Sequence, residues 1–501
     1  MMKRTVTVIA SLLLPIMLGG SVVAEQPRAG KLSFGWATES IVPGRLVAIG
    51  GQYNTRISGE VHDPITVTAL AIETRDDQGT IEQAVWVSCD LVAIRRSTVE
   101  NVRKLIAKTV PDLNPRKIIV SATHTHTAPA LTDTEETNLH PYEFVRSWAY
   151  RIPIDQKNIM RPLEYLELLE RQIALAVVRA WESRTPGEFS FALSHASVAR
   201  NRRAVYFDGT SRMYGNTKDP NFSHTEGTSD DSVDAMFFWR NEQIVGMAIT
   251  LYCPSQEVEG EKHLSADFWF NTRVQLRDKF SQNLFVLPLT GASGDQSPHI
   301  QVARPADDRM LAQRKVAYRD EIARRIVQAV SDVTGLARAT KSDLVPLGHQ
   351  VEDIALPVWK VPPERFQQAT AAVAVGQDKL DSLSGPEYIN WRVQSTMVAR
   401  YEYQKQEPTF RAEVHAVRLG DLALITNPFE LFTDYSLRIK ARSPAIHTSV
   451  VQLTSDCAAY LPTERAVAGG GYSARIDDGI VGSEGGRVLV NESVRLLSLM
   501  W

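Results

Sequence analysis

The chain has 501 residues, 44% hydrophobic and 23% charged, with a formal net charge of -3. That mix supplies a large packed core and excludes a disordered chain. The near-neutral balance leaves no electrostatic footprint for nucleic acid, so no nucleic-acid partner is expected.

The chain opens with "MMKRTVTVIASLLLPIMLGGSVVAEQ": Lys3 and Arg4, an apolar stretch, then small residues up to Ala24. This is the format of a secretory signal peptide. Residues 1–24 are therefore read as a leader, and residues 25–501 as one domain destined for the periplasm or the exterior. Pro15 and Gly19-Gly20 break the apolar run, and no later segment is apolar for long enough to suggest a transmembrane span. The three cysteines, Cys89, Cys253 and Cys457, are an odd number, so at least one thiol is unpaired in an exported protein. Such a thiol serves either as a small buried hydrophobe or as a metal ligand.

"AVWVSCDLVAI" (84–94) predicts a buried strand. Ser97-Thr98-Val99-Glu100 has the form of a capping box. Val99, Val102, Leu105 and Ile106 then follow at helical spacing, and Pro111 closes the segment. "RKIIVSAT" predicts a second strand, which makes a strand–helix–strand unit, most simply parallel and right-handed. Ligands of such sheets bind beyond the carboxyl ends of the strands. Asp90 lies late in the first strand, and His124 and His126, in "VSATHTHTAPA", end the second. If that strand persists, both imidazoles share a face and converge on one object, most commonly a metal ion. The competing reading is two satisfied polar residues at a strand end.

The layout recurs. "QIVGMAITLY" leads to Cys253-Pro254-Ser255-Gln256, and "HLSADFWFNTRVQLRDKF" reads largely as a helix. "NLFVLPLT" leads to "GASGDQSPH", "DLALIT" to Asn427-Pro428-Phe429-Glu430, and "HTSVVQLT" to "SDCAAYLP". Five polar clusters thus follow five strands. The expected fold is α/β, with mixed, largely parallel sheets flanked by helices and the active site at the C-terminal ends of strands. Long loops over residues 131–162 and 208–234 are candidate lids or rims. Gly469 to Gly471 predict a flexible or close-approach loop. A softer boundary near residues 341–363 does not justify dividing the chain. In "GASGDQSPH", glycines allow backbone N–H groups to face an anion or oxyanion, while Asp295 and Ser297 offer a base and a hydroxyl. The same residues also suit a tight turn with cap residues, and Ser293-Gly294-Asp295 departs from the nucleophile elbow G-x-S-x-G.

At this point the chain resembles the neutral ceramidases, zinc-dependent amidases that cleave the N-acyl bond of ceramide. Their T-H-T-H-S-G-P motif is similar to Thr123-His124-Thr125-His126-Thr127-Ala128-Pro129, and their G-D-V-S-P motif to Gly294-Asp295-Gln296-Ser297-Pro298. Their Asn-Arg pair resembles Asn201-Arg202, P-x-E-F resembles Pro428-Phe429-Glu430-Leu431, and their tyrosine segment resembles "AAYLPTERA" through Tyr460. The resemblance implies zinc ligated by His124, Glu430 and Tyr460. It places His126 beside the metal to steady the substrate carbonyl, Asp295 and Ser297 in the reaction centre, and Arg202 to orient the substrate.

Two departures follow. The family's second zinc histidine lies in F-A-T-H-P-T-S, whereas "ITLYCPSQ" places Cys253 there, with His263 as the rival. A thiolate is an ordinary zinc ligand, but its charge makes bound water less acidic. The family's C-terminal β-sandwich domain also has no counterpart before Trp501. The expectation is an exported zinc hydrolase, ligated by His124, Cys253, Glu430 and Tyr460, that cleaves an N-acyl amide of a small molecule or lipid. Its rivals are a zinc hydrolase of esters or glycosides, and a non-catalytic binding protein that retains the fold.

Overall fold

Strands that read as unbroken apolar runs need cover on both faces. "VDAMFFW" (233–239) is buried throughout. Val233, Ala235, Phe237 and Trp239 face one layer, and Met236 and Phe238 face the other, as the two-residue period of a strand requires. The computed structural model, which describes residues 26–136, 138–144, 150–152 and 158–501, shows what those layers are. The leader lies outside the described residues, as do parts of the loop 131–162.

The larger sheet has nine strands. Its main path runs His447–Val451, Leu422–Thr426, Thr409–Leu419, Leu344–Pro357, Ala29–Ser40, Thr66–Arg75, Ile81–Cys89 and Ile118–Ala122. The smaller sheet runs Phe285–Thr290, Gln243–Leu251, Ser232–Arg240 and Glu188–His195. The two pack face to face around Phe34, Trp36, Trp86, Phe238 and Leu287. Phe238 meets the rings of Phe34, Trp36 and Phe189 at centroid distances of 5.1, 5.4 and 5.4 Å. Helices Arg96–Thr109 and Pro162–Glu182 cover one half of the larger sheet's outer face, and Thr433–Arg442 and Ser483–Ser498 cover the other. Helices Phe268–Lys279 and Tyr318–Ala339 cover the smaller sheet. The layers are helix, sheet, sheet, helix. Leu344–Pro357 pairs on both sides within the larger sheet, so no boundary falls near residue 341.

The sheets are mixed, as expected, but parallel pairing within them is confined to three pairs. These are Ile81–Cys89 with Ile118–Ala122, Gln243–Leu251 with Phe285–Thr290, and Leu422–Thr426 with His447–Val451. A helix bridges each pair, because a parallel return needs a long crossover. The other strands pair antiparallel where connections are short. Asn241 and Glu242, both at positive φ, turn Ser232–Arg240 directly into Gln243–Leu251. All five polar clusters of the sequence lie just beyond strands of the three parallel pairs, and the candidate site collects there.

The expected capping box does not form. The helix begins at Arg96 with Arg95 as N-cap, so Ser97 falls within the first turn. Arg95 instead donates to the Leu131 carbonyl and pairs with Glu136 and Glu143.

Candidate active site

The strand before the two histidines ends at Ala122, and His124 adopts a left-handed backbone with φ 62°. The pair is therefore set by a turn and not by strand alternation. Thr125 and Thr127 pin the turn by donating to the Ser265 carbonyl at 3.0 and 2.9 Å. The two imidazoles stand nearly perpendicular, with centroids 5.0 Å apart.

His124 Nδ1 lies 2.6 Å from the Val92 carbonyl oxygen. A carbonyl only accepts, so Nδ1 carries a proton, and Nε2 is an acceptor whenever it has no proton of its own. That Nε2 faces Glu430 Oε2 at 3.1 Å. Two acceptors at this distance need a proton or a metal cation between them. Glu430 is 1% exposed and pairs in parallel register with Tyr460, its N–H donating to the Ala459 carbonyl at 2.8 Å. The Tyr460 hydroxyl accepts from Arg202 Nη2 at 3.3 Å and feels the Glu430 charge. Burial alone would raise the Glu430 carboxylate, but His124, Arg202 and Tyr460 outweigh it and hold it below its usual range. Burial and the Glu430 charge push the Tyr460 phenol well up.

His126 is held at both nitrogens. Nε2 accepts from the Gln256 amide at 2.8 Å, and Nδ1 lies 3.1 Å from Glu259 Oε2, in ion-pair range though poorly aligned for a hydrogen bond. Glu259 also takes His299 Nε2 at 3.1 Å and Gln52 Nε2 at 3.2 Å. Burial favours a protonated Glu259, yet the two histidines outweigh it and hold the carboxyl well below the usual range. Burial lowers His126 itself, against the opposing pull of Glu259. Gly51, at φ 92°, lets the backbone pass against this ring: a Cβ there would meet His126 Cγ at 2.4 Å.

Gln256, Glu259, His299 and Tyr214 were not among the residues expected from sequence. Gln256 and His299 sit inside the strand-following clusters, which was the available signal. Glu259 sits in the acidic run "EVEGEK", which reads as solvated surface.

Asp295 anchors the site. Its carboxylate accepts from the Thr433 N–H at 2.9 Å, the Thr433 hydroxyl at 2.7 Å and the Asn201 amide at 2.9 Å, while its carbonyl accepts from the Arg202 N–H at 2.9 Å. Burial raises its pKa against those bonds. Ser297 Oγ accepts from Tyr214 Oη and from the His299 N–H, both at 3.0 Å. Arg202 spans the site, donating to Gln256 Oε1 at 3.3 Å, Tyr214 Oη at 3.4 Å and the Gly294 carbonyl at 3.0 Å. The expected anion nest in the glycine loop is not there. The N–H groups of Gly291, Ala292, Ser293 and Gly294 already donate to Leu251, Val450, Gln452 and Leu431. Gly294 is needed for close approach, since a Cβ would lie 2.2 Å from the Glu430 carbonyl oxygen.

Cys253 is not brought into this group. Its thiol lies in the core of the smaller sheet, 3.9 Å from the Val198 carbonyl and 3.6 Å from that of Pro254, and burial pushes its pKa up, which favours the neutral thiol. Pro254 follows a buried strand end, so the chain turns with the thiol directed inward. His263 stacks on His62 with centroids 4.6 Å apart, and does not replace it. All three cysteines are free and buried. Among the described residues, no three of His, Cys, Asp and Glu converge on a common point. What converges is His124, Glu430 and the Tyr460 phenol. His124 and Glu430 are donors of the kinds zinc takes, with the Tyr460 phenol beside them, and the facing Nε2 and Oε2 have either a proton or a cation between them. In those two respects the residues fit zinc, without Cys253.

Tyr460 borders a cavity of about 310 Å³ that also meets Tyr53, Tyr472 and Arg475. A larger cavity of about 900 Å³ meets Tyr214 and His299.

No family model and no curated protein matches the chain. Among solved structures it is similar to the neutral ceramidase from Pseudomonas aeruginosa, at TM-score 0.67 and 15% identity over 94% of this chain and 75% of that one. It is also similar to a ceramidase complexed with C2, at TM-score 0.64 and 14% identity over 93% and 75%. The fold is ceramidase-like.

Proposed function

We propose that the protein is an exported zinc-dependent hydrolase that cleaves an N-acyl amide bond. One observation carries the reading: His124 Nε2 faces Glu430 Oε2 at 3.1 Å, with Tyr460 paired in register beside Glu430, in a chain of ceramidase-like fold. His124, Glu430 and Tyr460 would hold the zinc, which when bound would supply Lewis acidity to polarise a carbonyl and acidify water.

The chain's own residues supply the rest. His126 directs Nδ1 at Glu259, which selects the tautomer whose Nε2 accepts a proton. Exchange of the Gln256 amide for water at Nε2 makes His126 the general base. Asp295, with three hydrogen bonds to its carboxylate, is a positioning residue: it fixes Arg202 on one side and the helix that follows Glu430 on the other. Arg202 orients the phenol and the bound amide, and Ser297 holds Tyr214 against it.

The signal-peptide pattern supports a periplasmic or secreted location. Among the described residues, no helix is long and apolar enough to cross a membrane. The test is metal content and amide turnover of the wild type, His124→Ala and His126→Ala. The wild type should hold about one zinc; His124→Ala should lose metal and activity together; His126→Ala should keep most of the metal and lose turnover. Wild-type protein that turns over amides without metal, or equal metal loss in both variants, defeats the reading.

A further inference from the structure

We infer that the cavity beside Tyr460 seats a compact, neutral, polyhydroxylated group of the amino-sugar kind, which carries the scissile N-acyl amide. This rests on the hydrolase reading for the bond that is cut, and on the cavity alone for what is bound.

Three rings run from solvent to the reaction centre. Tyr53, 44% exposed, stands at the mouth. It meets Tyr472 edge to face at 5.7 Å and 75°, and Tyr472 meets Tyr460 at 5.5 Å and 79°. The glycine run ahead of Tyr472 makes this possible: Gly470 and Gly471 have positive φ, and a Cβ on Gly471 would lie 2.4 Å from the Ser211 carbonyl oxygen. The polar lining comes from Asn390 and the Arg475–Asp478 pair, joined by two contacts of 2.9 Å, with the Arg475 guanidinium 5.9 Å from the centre of the Tyr472 ring. Asp477 also lines the cavity and is paired with Arg365 at 2.9 Å. Among the described lining residues, Phe144 adds a fourth ring, and aliphatic side chains come only from Pro386 and Val393.

A hydrocarbon chain is a poor occupant of this space. It would strip water from Asn390, Arg475 and Asp478 and return no hydrogen bonds. A charged ligand is also disfavoured, because the guanidinium and carboxylates already balance one another. A sugar ring answers both kinds of lining: its C–H faces pack on aromatic rings, and its hydroxyls both donate and accept toward planar amide, guanidinium and carboxylate groups. The volume, about 310 Å³, lies at the small end of ligand pockets, which favours a compact body. In the reaction the water oxygen forms the new bond to the acyl carbon, the C–N bond breaks, and the water's proton passes to the leaving nitrogen. The products are the amino sugar and a carboxylic acid, whose proton then passes to the amine to leave an ammonium and a carboxylate.

The experiment uses zinc-loaded full-length protein with N-acetylglucosamine and, in mixed micelles, N-hexadecanoylsphingosine. Calorimetry reads binding and a coupled amine assay reads turnover, for the wild type, Tyr53→Ala and Asn390→Ala. The expected result is binding of the sugar amide, with KM raised about tenfold in each variant and a smaller fall in kcat, the signature of lost ground-state contacts. Sugar binding that disappears in both variants without cleavage of any amide leaves the subsite standing and removes the hydrolase reading. Cleavage of the long-chain amide with no detectable sugar binding removes the subsite and leaves the hydrolase. Sugar binding unaffected by either substitution also overturns the proposal.

Discussion

His124 Nε2 and Glu430 Oε2 face each other across 3.1 Å, and what lies between the two atoms decides the chemistry. A proton there would give a buried ion pair, a contribution to stability of uncertain sign. A metal would give a Lewis acid. Cys253 bears on the same question from outside the group. With its thiol neutral and enclosed by the core of the smaller sheet, it should resist alkylation in native protein both before and after treatment with a chelator, and Cys253→Ala should retain zinc. Peptide mapping of labelled thiols checks this, and labelling that appears on chelation would return the cysteine to the metal. The sequence pointed to Cys253 because it occupies a strand-following position like those of His124 and Glu430. It did not reveal the direction of the side chain, since that depends on Val198 and the rest of the core packed around it.

At the scale of elements, the loop 254–259 carries Gln256 and Glu259 to His126, and Asp267 ties that loop down. Asp267, with φ 54°, caps the helix Phe268–Lys279, accepting from the Phe268 N–H at 2.6 Å and from the Val258 N–H at 2.8 Å. Burial pushes its pKa up to about 7 against those bonds. The native state therefore holds a proton that the unfolded chain has released. The stabilisation is complete below about pH 4 and is lost as pH rises through about 7, with an upper bound of roughly 4 kcal/mol. Asp267→Asn keeps an acceptor and cannot ionise, so urea midpoints of the variant should lack the fall between pH 4 and 7 seen in the wild type. Parallel curves would show that Asp267 is not the source. Much at this scale was legible. Unbroken β-branched runs mark strands covered on both faces, and the polar residues that break them mark the ends where the three parallel pairs deliver His124, Gln256, Asp295, Glu430 and Tyr460. The antiparallel pairings and the His126–Glu259 contact were not legible, because they join residues far apart in the chain through packing that no local pattern encodes. The glycine loop misled for a related reason: its N–H groups have partners on other strands.

For the molecule as a whole, the site lies where the two sheets converge. His124, Glu430 and Tyr460 follow strands of the larger sheet, while Gln256, Asp295 and Ser297 follow strands of the smaller one. Backbone bonds cross between the sheets at this end, from the Ala292 N–H to the Val450 carbonyl at 3.2 Å and from the Gln452 N–H to the Thr290 carbonyl at 2.9 Å. The Gln452 side chain adds a clasp, with Oε1 accepting from the Ser293 N–H at 2.9 Å and the Leu431 N–H at 3.1 Å, next to Asp295 and Glu430. The aromatic core around Phe238 holds the sheets together but provides none of the groups that meet at the site. Two substitutions should therefore separate stability from function. Phe238→Ala leaves a cavity in the packed layer and should cost about 3–5 kcal/mol, lowering Tm while leaving kcat near the wild-type value at temperatures where the variant is folded. Gln452→Ala leaves two buried N–H groups without their acceptor, at about 1–3 kcal/mol each. It should lower kcat even where the protein is fully folded, because the loops that carry Asp295 and Glu430 lose their common tether. Melting curves and turnover on the same preparations provide the comparison. Equal losses of kcat in the two variants, measured well below both midpoints, would mean that the core registers the site as strictly as the clasp does.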